Sequence, residues 1–116
     1  AICFFVKVTG DEHWALNLEE KAQLAGVSPE EILRWEQQSE CRDGILLGSK
    51  TLERISILMG VRRAIELLYP VNEWDVFMKK PNKRLGNESL LSVLLTGRLE
   101  KMYRVRHLLD SQLMGA

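Results

Sequence analysis

An apolar repeat that starts at Ser49 and stops at a proline constrains the fold more than any other stretch of this chain. Apolar residues recur there at spacings of three and four, which is the period of one buried helix face. We expect this face to contain Leu52, Ile55, Leu58 or Met59, Ile65 and Leu68. Ser49 or Thr51 can cap the helix at its start, and Pro70 ends it because the residue before a proline is pushed out of the helical region.

Three residues inside this repeat carry expectations of their own. Gly60 leaves space at the helix surface, which predicts the close approach of another helix. Arg62 and Arg63 fall outside the apolar face and are expected to be exposed. After the proline, Trp74 would lie in a short helix and fill the core.

The remaining sequence predicts a basic loop and two more helices. The loop is residues 79–84, a turn follows at residues 85–86, and a short helix runs from Ser89 to Leu95. The last helix spans Arg98 to Leu113. Its buried face is predicted to be Leu99, Met102, Val105 or Tyr103, Leu109 and Leu113. Its basic residues outside that face are Arg98, Lys101, Arg104 and Arg106.

The N-terminal half contains the start and stop signals of two short, consecutive helices. Asn17 can cap the first, Gly26 ends it, and Ser28 followed by Pro29 starts the second. This spacing is typical of a helix-turn-helix, whose second helix enters the DNA major groove. The side chains that could contact DNA are Ser28, Arg34, Gln37 and Gln38.

Charge argues against DNA binding by this second helix. It carries one basic residue, Arg34, against Glu30, Glu31, Glu36 and Glu40. Carboxylates that face a polyanion oppose the phosphate contacts on which non-specific affinity depends. The alternative is a helix-turn-helix fold that is kept only as a scaffold.

The first ten residues are rich in Phe, Val and Ile and predict an extended segment or short strand. Cys3 and Cys41 lack metal-type spacing and are expected to be free thiols in a reduced compartment. The apolar run from Ile2 to Val6 is too short to span a membrane. We therefore expect a cytoplasmic protein that does not contact membranes.

These expectations define the fold class. The sequence predicts a small all-α protein in which a helix-turn-helix-like part packs on a C-terminal helical part, with scope for a short N-terminal strand. The corresponding segments are residues 1–15, 16–48 and 49–116.

The charge distribution and the missing catalytic motifs favour a binding protein. Residues 11–44 contain nine acidic and three basic residues, whereas residues 45–116 contain twelve basic and seven acidic ones. The sequence has no glycine-rich phosphate loop, paired-cysteine metal site or His-Glu-x-x-His motif. His13 and His107 lie in different elements and have no evident carboxylate partner. We expect neither an enzyme nor a bound cofactor or metal.

The order of short motifs resembles the Xre/MbcA/ParS antitoxin family. In the C-terminal part the matching residues are Leu52-x-Arg54-Ile55, Leu68-Tyr69-Pro70, Trp74, Lys80-Pro81-Asn82, Leu85-Gly86, Ser89-Leu90, Leu94, Thr96-Gly97, Val105-x-x-x-Leu109 and Gly115. Upstream, Glu20-Lys21, residues 24–28 and residues 33–35 resemble the helix-turn-helix of Xre-type members. The turn before the short helix, where family members often carry a proline, reads Ser89-Leu90 here and has none.

The resemblance implies a role as the antitoxin of a type II toxin–antitoxin system. Such proteins block a RES-domain toxin that degrades NAD, and many repress their own operon as homodimers. The toxin-binding face would comprise Arg98, Lys101, Arg104, Leu113, Met114 and Gly115. A basic face suits a cleft that receives the anionic pyrophosphate of NAD. A DNA-binding transcriptional regulator without a toxin partner is the alternative.

Overall fold

Helices dominate the computed structural model, which describes residues 2–37 and 48–115. The α-helices are α1 (Ile2–Thr9), α2 (Leu18–Ala25), α3 (Pro29–Gln37), α4 (Ser49–Leu68), α5 (Trp74–Lys79), α6 (Leu90–Leu94) and α7 (Leu99–Leu113). Two-residue strands, β1 (Pro81–Asn82) and β2 (Glu88–Ser89), pair antiparallel, and 3-10 turns span Val71–Glu73 and Lys83–Leu85. The predicted all-α class is confirmed.

The chain divides into two compact units, Ala1–Ser56 and Ile57–Ala116. The division falls inside α4, whereas the sequence places a boundary at the first residue of that helix. In the first unit α3 packs against both α1 and α2, and in the second α6 packs against α5 and α7.

The prediction of an extended N-terminal segment is wrong, because residues 2–9 form α1. An isolated strand leaves its backbone groups unpaired, whereas a helix satisfies them internally. Phe5 and Val8 are buried on one face, and the Phe5 ring meets that of Trp35 edge-on, with centroids 5.7 Å apart. The hydroxyl of Thr9 donates a hydrogen bond to the carbonyl oxygen of Phe5, 2.7 Å away. The run of Phe and Val is therefore the core face of a helix.

The expectation of a free thiol at Cys3 is also wrong. Cys3 is disulfide-bonded in the structure. Cys41 lies outside the described residues.

The ends of α2 form as the sequence predicts. The Asn17 side chain accepts a hydrogen bond from the Glu20 backbone N–H, 2.8 Å away, and the Glu20 carboxylate accepts one from the Asn17 N–H, 3.0 Å away. Gly26 ends the helix in the left-handed conformation, with φ +71°. Ser28 then begins the next helix, since its Oγ accepts from the Glu31 N–H, 3.3 Å away.

The buried face of α4 is only partly the predicted one. Ile55, Leu58 and Ile65 are buried as expected. Leu52 is 44% exposed and Leu68 is half-buried, so both were misassigned.

Arg62 is the second correction in α4, because it is buried and not exposed. Its Nη1 lies 2.8 Å from Oδ1 of Asp75, and its Nε lies 3.4 Å from Oε2 of Glu66. The guanidinium carbon stands 5.0 Å from the ring centroid of Trp74. Two carboxylates and an aromatic face together compensate for the desolvation of this charge.

The turn after α4 is fixed by side-chain contacts. The Trp74 indole N–H donates to the carbonyl oxygen of Tyr69, 2.8 Å away. Tyr69 stacks on Phe77, with ring centroids 4.1 Å apart. Burial, followed by the nearby charge of Glu73, raises the pKa of Tyr69 above its usual 10.0. Trp74 is half-buried, so it does not fill the core as predicted. Its ring instead packs against the guanidinium of Arg62.

Gly60 lies against the side chain of an arginine on another helix, whereas the expected close approach of that helix itself stays a prediction. A Cβ at this position would lie 2.9 Å from both Cζ and Nε of Arg106, on α7. The core side of α7 is formed by Met102, Val105 and Leu109, all fully buried. This packing turns the opposite side of α7 to the solvent.

Candidate partner-binding surface

The solvent-facing side of α7 has a defined composition. Glu100, Tyr103, Arg104 and His107 are exposed and recur at the spacing of one helix face. The rings of Tyr103 and His107 are nearly parallel, with centroids 6.3 Å apart. We refer to these four residues as the α7 face. It offers an aromatic pair next to a guanidinium, a combination enriched at protein interfaces.

Arg104 is held in place by the turn that precedes α6. Its Nη2 donates a hydrogen bond to the carbonyl oxygen of Arg84, 3.3 Å away. That turn is itself ordered, because the Asn82 side chain accepts from the Arg84 backbone N–H, 2.9 Å away. Ordering a long side chain before a partner arrives lowers the entropy cost of binding.

The last residue of α7 and the two residues after it form a second exposed feature, which we term the C-terminal turn (Leu113, Met114 and Gly115). Met114 is 85% exposed and Leu113 is 40% exposed. The N–H of Met114 bonds to the carbonyl of Asp110, and Gly115 adopts φ +76°. A large apolar side chain is thus presented on an ordered backbone.

The C-terminal turn is attached to the rest of the second unit just before it begins. The Tyr69 hydroxyl donates to Oε1 of Gln112, 3.4 Å away. Tyr69 is also stacked on Phe77. A half-buried aromatic ring therefore anchors the last helical turn from which Leu113 and Met114 project.

The six residues predicted to bind a toxin do not form one patch. Leu113, Met114 and Gly115 are adjacent, whereas Arg98 is the N-cap at the other end of α7. At 1.5 Å per residue this 15-residue helix is about 22 Å long. Arg104 lies on the α7 face, and Lys101 is half-buried beside it. The role of all six residues in toxin binding stays a prediction.

Sequence reasoning missed three residues of the α7 face, which are Glu100, Tyr103 and His107. Tyr103 was considered as a core alternative to Val105, but Val105 is buried and Tyr103 is exposed. His107 was treated as an isolated histidine. Tyr103 follows Glu100 by three residues, and His107 follows Tyr103 by four. The helical period could therefore have identified both residues.

In the first unit, α3 presents few free cations to a nucleic acid. Arg34 lies 2.7 Å from a carboxylate oxygen of Glu31, and Lys21 lies 2.7 Å from Glu36. Ser28 is occupied as the cap of α3, and Gln37 is exposed at its end. Gln38 lies outside the described residues. DNA contact by this set therefore stays a prediction, against an acidic surface.

The described parts of the chain contain neither a metal-binding cluster nor a membrane-spanning helix. No cluster of three or more His, Cys, Asp or Glu side chains in residues 2–37 and 48–115 could hold a metal ion. None of the helices in those ranges has both the length and the apolar character needed to cross a bilayer.

Comparisons with known proteins place the chain in a family. No protein-family model matches it. Over 107 residues it is 30% identical to the "Uncharacterized protein y4oB" of Sinorhizobium fredii (strain NBRC 101917 / NGR234), and this match covers 90% of the chain and 78% of the relative. The chain belongs to the family of y4oB.

A solved structure shares the fold. It is a chain of the crystal structure of the M. tuberculosis MbcT–MbcA toxin–antitoxin complex, with a TM-score of 0.59 and 22% sequence identity. The match covers 99% of this chain and 92% of that one. The resemblance to the Xre/MbcA/ParS family that the sequence suggests is therefore confirmed at the level of the fold.

Proposed function

We propose that this protein is an antitoxin and that it blocks its toxin through the α7 face and the C-terminal turn. The observation that carries the proposal is an ordered, exposed surface in a fold shared with a chain of a toxin–antitoxin complex. The surface presents Tyr103, Arg104 and Met114. Tyrosine and arginine are the side chains that most often dominate interface energetics, and methionine is enriched at interfaces.

The toxin class that we propose is a RES-type enzyme that degrades NAD. Its support is the resemblance of the ordered motifs to the Xre/MbcA/ParS family. Arg104 also has the chemistry to enter a cleft that receives a pyrophosphate, since a guanidinium binds phosphate oxygens in bidentate fashion. The C-terminal turn would then block the toxin's cleft sterically, and Arg104 would occupy the pyrophosphate site within it.

Autorepression as a homodimer, with operator DNA read by α3, is the second part of the predicted role. Its support is the sequence spacing of α2 and α3. The pairing of Arg34 with Glu31 weakens it, because a cation engaged by a carboxylate gains less from a phosphate. A promoter-shift assay with Arg34→Ala tests this part, and no shift of promoter DNA at any salt concentration would reject it.

Co-expression with a RES-type toxin, which we expect a neighbouring gene to encode, tests the antitoxin role. We expect the intact protein to restore growth. The double variant Tyr103→Ala/Arg104→Glu should fail to restore it while remaining folded by circular dichroism. Arg63→Glu makes the same charge reversal at an exposed position of α4 and serves as the control. A toxin that still arrests growth beside soluble, intact protein would refute the proposal.

A further inference from the structure

An exposed group of cations surrounds the turn between α5 and α6. We refer to this group as the basic turn, and its members are Lys79, Lys80, Lys83, Arg84 and Arg104, all exposed. Four of them fall within six consecutive residues. Arg104 joins them from α7 through its hydrogen bond to the Arg84 carbonyl oxygen. Two segments distant in sequence therefore contribute to one positive surface.

Carboxylates within the second unit do not neutralise this surface. Arg62 takes up Glu66 and Asp75, and Arg106 lies 3.8 Å from Asp110. Within the described residues, no member of the basic turn lies within 4.0 Å of a carboxylate oxygen. Glu88 is the one acidic residue in the sequence between positions 79 and 99. The charge of the basic turn is thus available to an external anion.

The composition of the basic turn fits a nucleic acid better than a protein. Three of its five members are lysine, which is depleted in the cores of protein interfaces. No large apolar side chain is exposed between residues 79 and 89 to act as an interface anchor. Lysine and arginine without apolar anchors are what phosphate-backbone contacts use.

We propose that the basic turn binds the phosphate backbone of duplex nucleic acid without reading base sequence. This binding is independent of operator recognition by α3, whose one arginine is paired with Glu31. The proposal does not rest on the proposed antitoxin role, although Arg104 is common to both surfaces. The other four cations lie outside the α7 face.

The number of cations sets the expected salt dependence. Five phosphate contacts on duplex DNA predict a slope of about −4.5 for the logarithm of affinity against the logarithm of salt concentration. Raising the salt from about 50 to about 200 mM should then weaken binding about 500-fold. A surface that binds through hydrogen bonds or apolar contact would show a much flatter response.

Fluorescence anisotropy with labelled duplex DNA of arbitrary sequence tests the proposal, with duplex RNA as a second probe. The variant Lys80→Gln/Lys83→Gln/Arg84→Gln leaves Arg104 in place. We expect its slope to flatten to about −1.8 and its loss over the same salt range to fall to about 12-fold. The control Lys7→Gln/Lys50→Gln/Arg63→Gln removes three equally exposed charges elsewhere and should bind within about twofold of the parent.

Four outcomes would overturn the proposal. They are no binding to either duplex at about 50 mM salt, unchanged binding by the basic-turn variant, an equal loss in the control, and polyglutamate binding as tight as duplex binding. Circular dichroism establishes that both variants are folded. Toxin binding by the basic-turn variant is measured separately, so failure of this proposal is distinguishable from failure of the antitoxin role.

Discussion

Replacing Arg62 by alanine should destabilise the second unit strongly. The change removes a charged hydrogen bond of 2.8 Å to Asp75, a longer contact to Glu66, and the stacking of the guanidinium on Trp74. Asp75 and Glu66 are 29% and 43% exposed, so solvent screens part of the gain. A charge-assisted hydrogen bond contributes about 1.5–3 kcal/mol, and the cation–π contact about 0.5–1 kcal/mol.

The arginine stem adds to this effect, because each buried methylene contributes about 0.8 kcal/mol. We expect Arg62→Ala to lower the free energy of unfolding by about 3 kcal/mol after allowing for screening. Urea denaturation followed by circular dichroism measures it. Arg63→Ala is the matched control, since Arg63 is the adjacent arginine and is exposed, and it should change the free energy by at most about 0.5 kcal/mol. Equal effects of the two changes, or a loss below about 1 kcal/mol for Arg62→Ala, would refute the reasoning.

Three further changes test local features. Gly86→Ala forces φ +67° on an L-residue and should cost about 1 kcal/mol in urea denaturation; an unchanged midpoint would contradict the left-handed turn. Ser89→Ala removes the oxygen that accepts the Ser92 N–H and should cost about 1 kcal/mol by the same assay. Tyr103→Phe leaves Tyr69 as the one tyrosine, so titration of the tyrosine absorbance reports the pKa of Tyr69, which should lie above 10.0. Adding Glu73→Gln should lower this pKa, because it removes the nearby negative charge. Because the raised pKa favours the neutral form in the folded state, stability should fall as the pH rises through that pKa.

The sequence predicted well those features that depend on a few neighbouring residues. The cap at Asn17, the left-handed end at Gly26 and the cap at Ser89 all form as expected, because each is decided within one turn of backbone.

Features that depend on distant residues escaped prediction. α1 was taken for a strand, because the Phe- and Val-rich composition did not reveal that Trp35 covers its apolar face. Arg62 was taken for a surface residue, because Asp75 is thirteen positions away in sequence. Tyr103 was predicted as a core alternative to Val105, because both residues fit an apolar helix face. The structure shows that Val105 is the buried one.

The candidate site shows the same division. A basic, exposed C-terminal helix was predictable from the charge count, and Arg104 and Met114 are indeed exposed. The predicted helix from Arg98 to Leu113 already placed Arg98 at the opposite end from Gly115. The sequence could not show that Arg104 is tied to the Arg84 carbonyl, because that contact depends on how α7 packs against its neighbours.

Direct titration of the purified toxin tests the antitoxin role most sharply. The readout is the rate at which the RES-type toxin degrades NAD, measured while this protein is added. We expect complete inhibition at a stoichiometric ratio, and a large excess should be needed for Tyr103→Ala/Arg104→Glu. Full NAD-degrading activity in the presence of an excess of folded, intact protein would contradict the account.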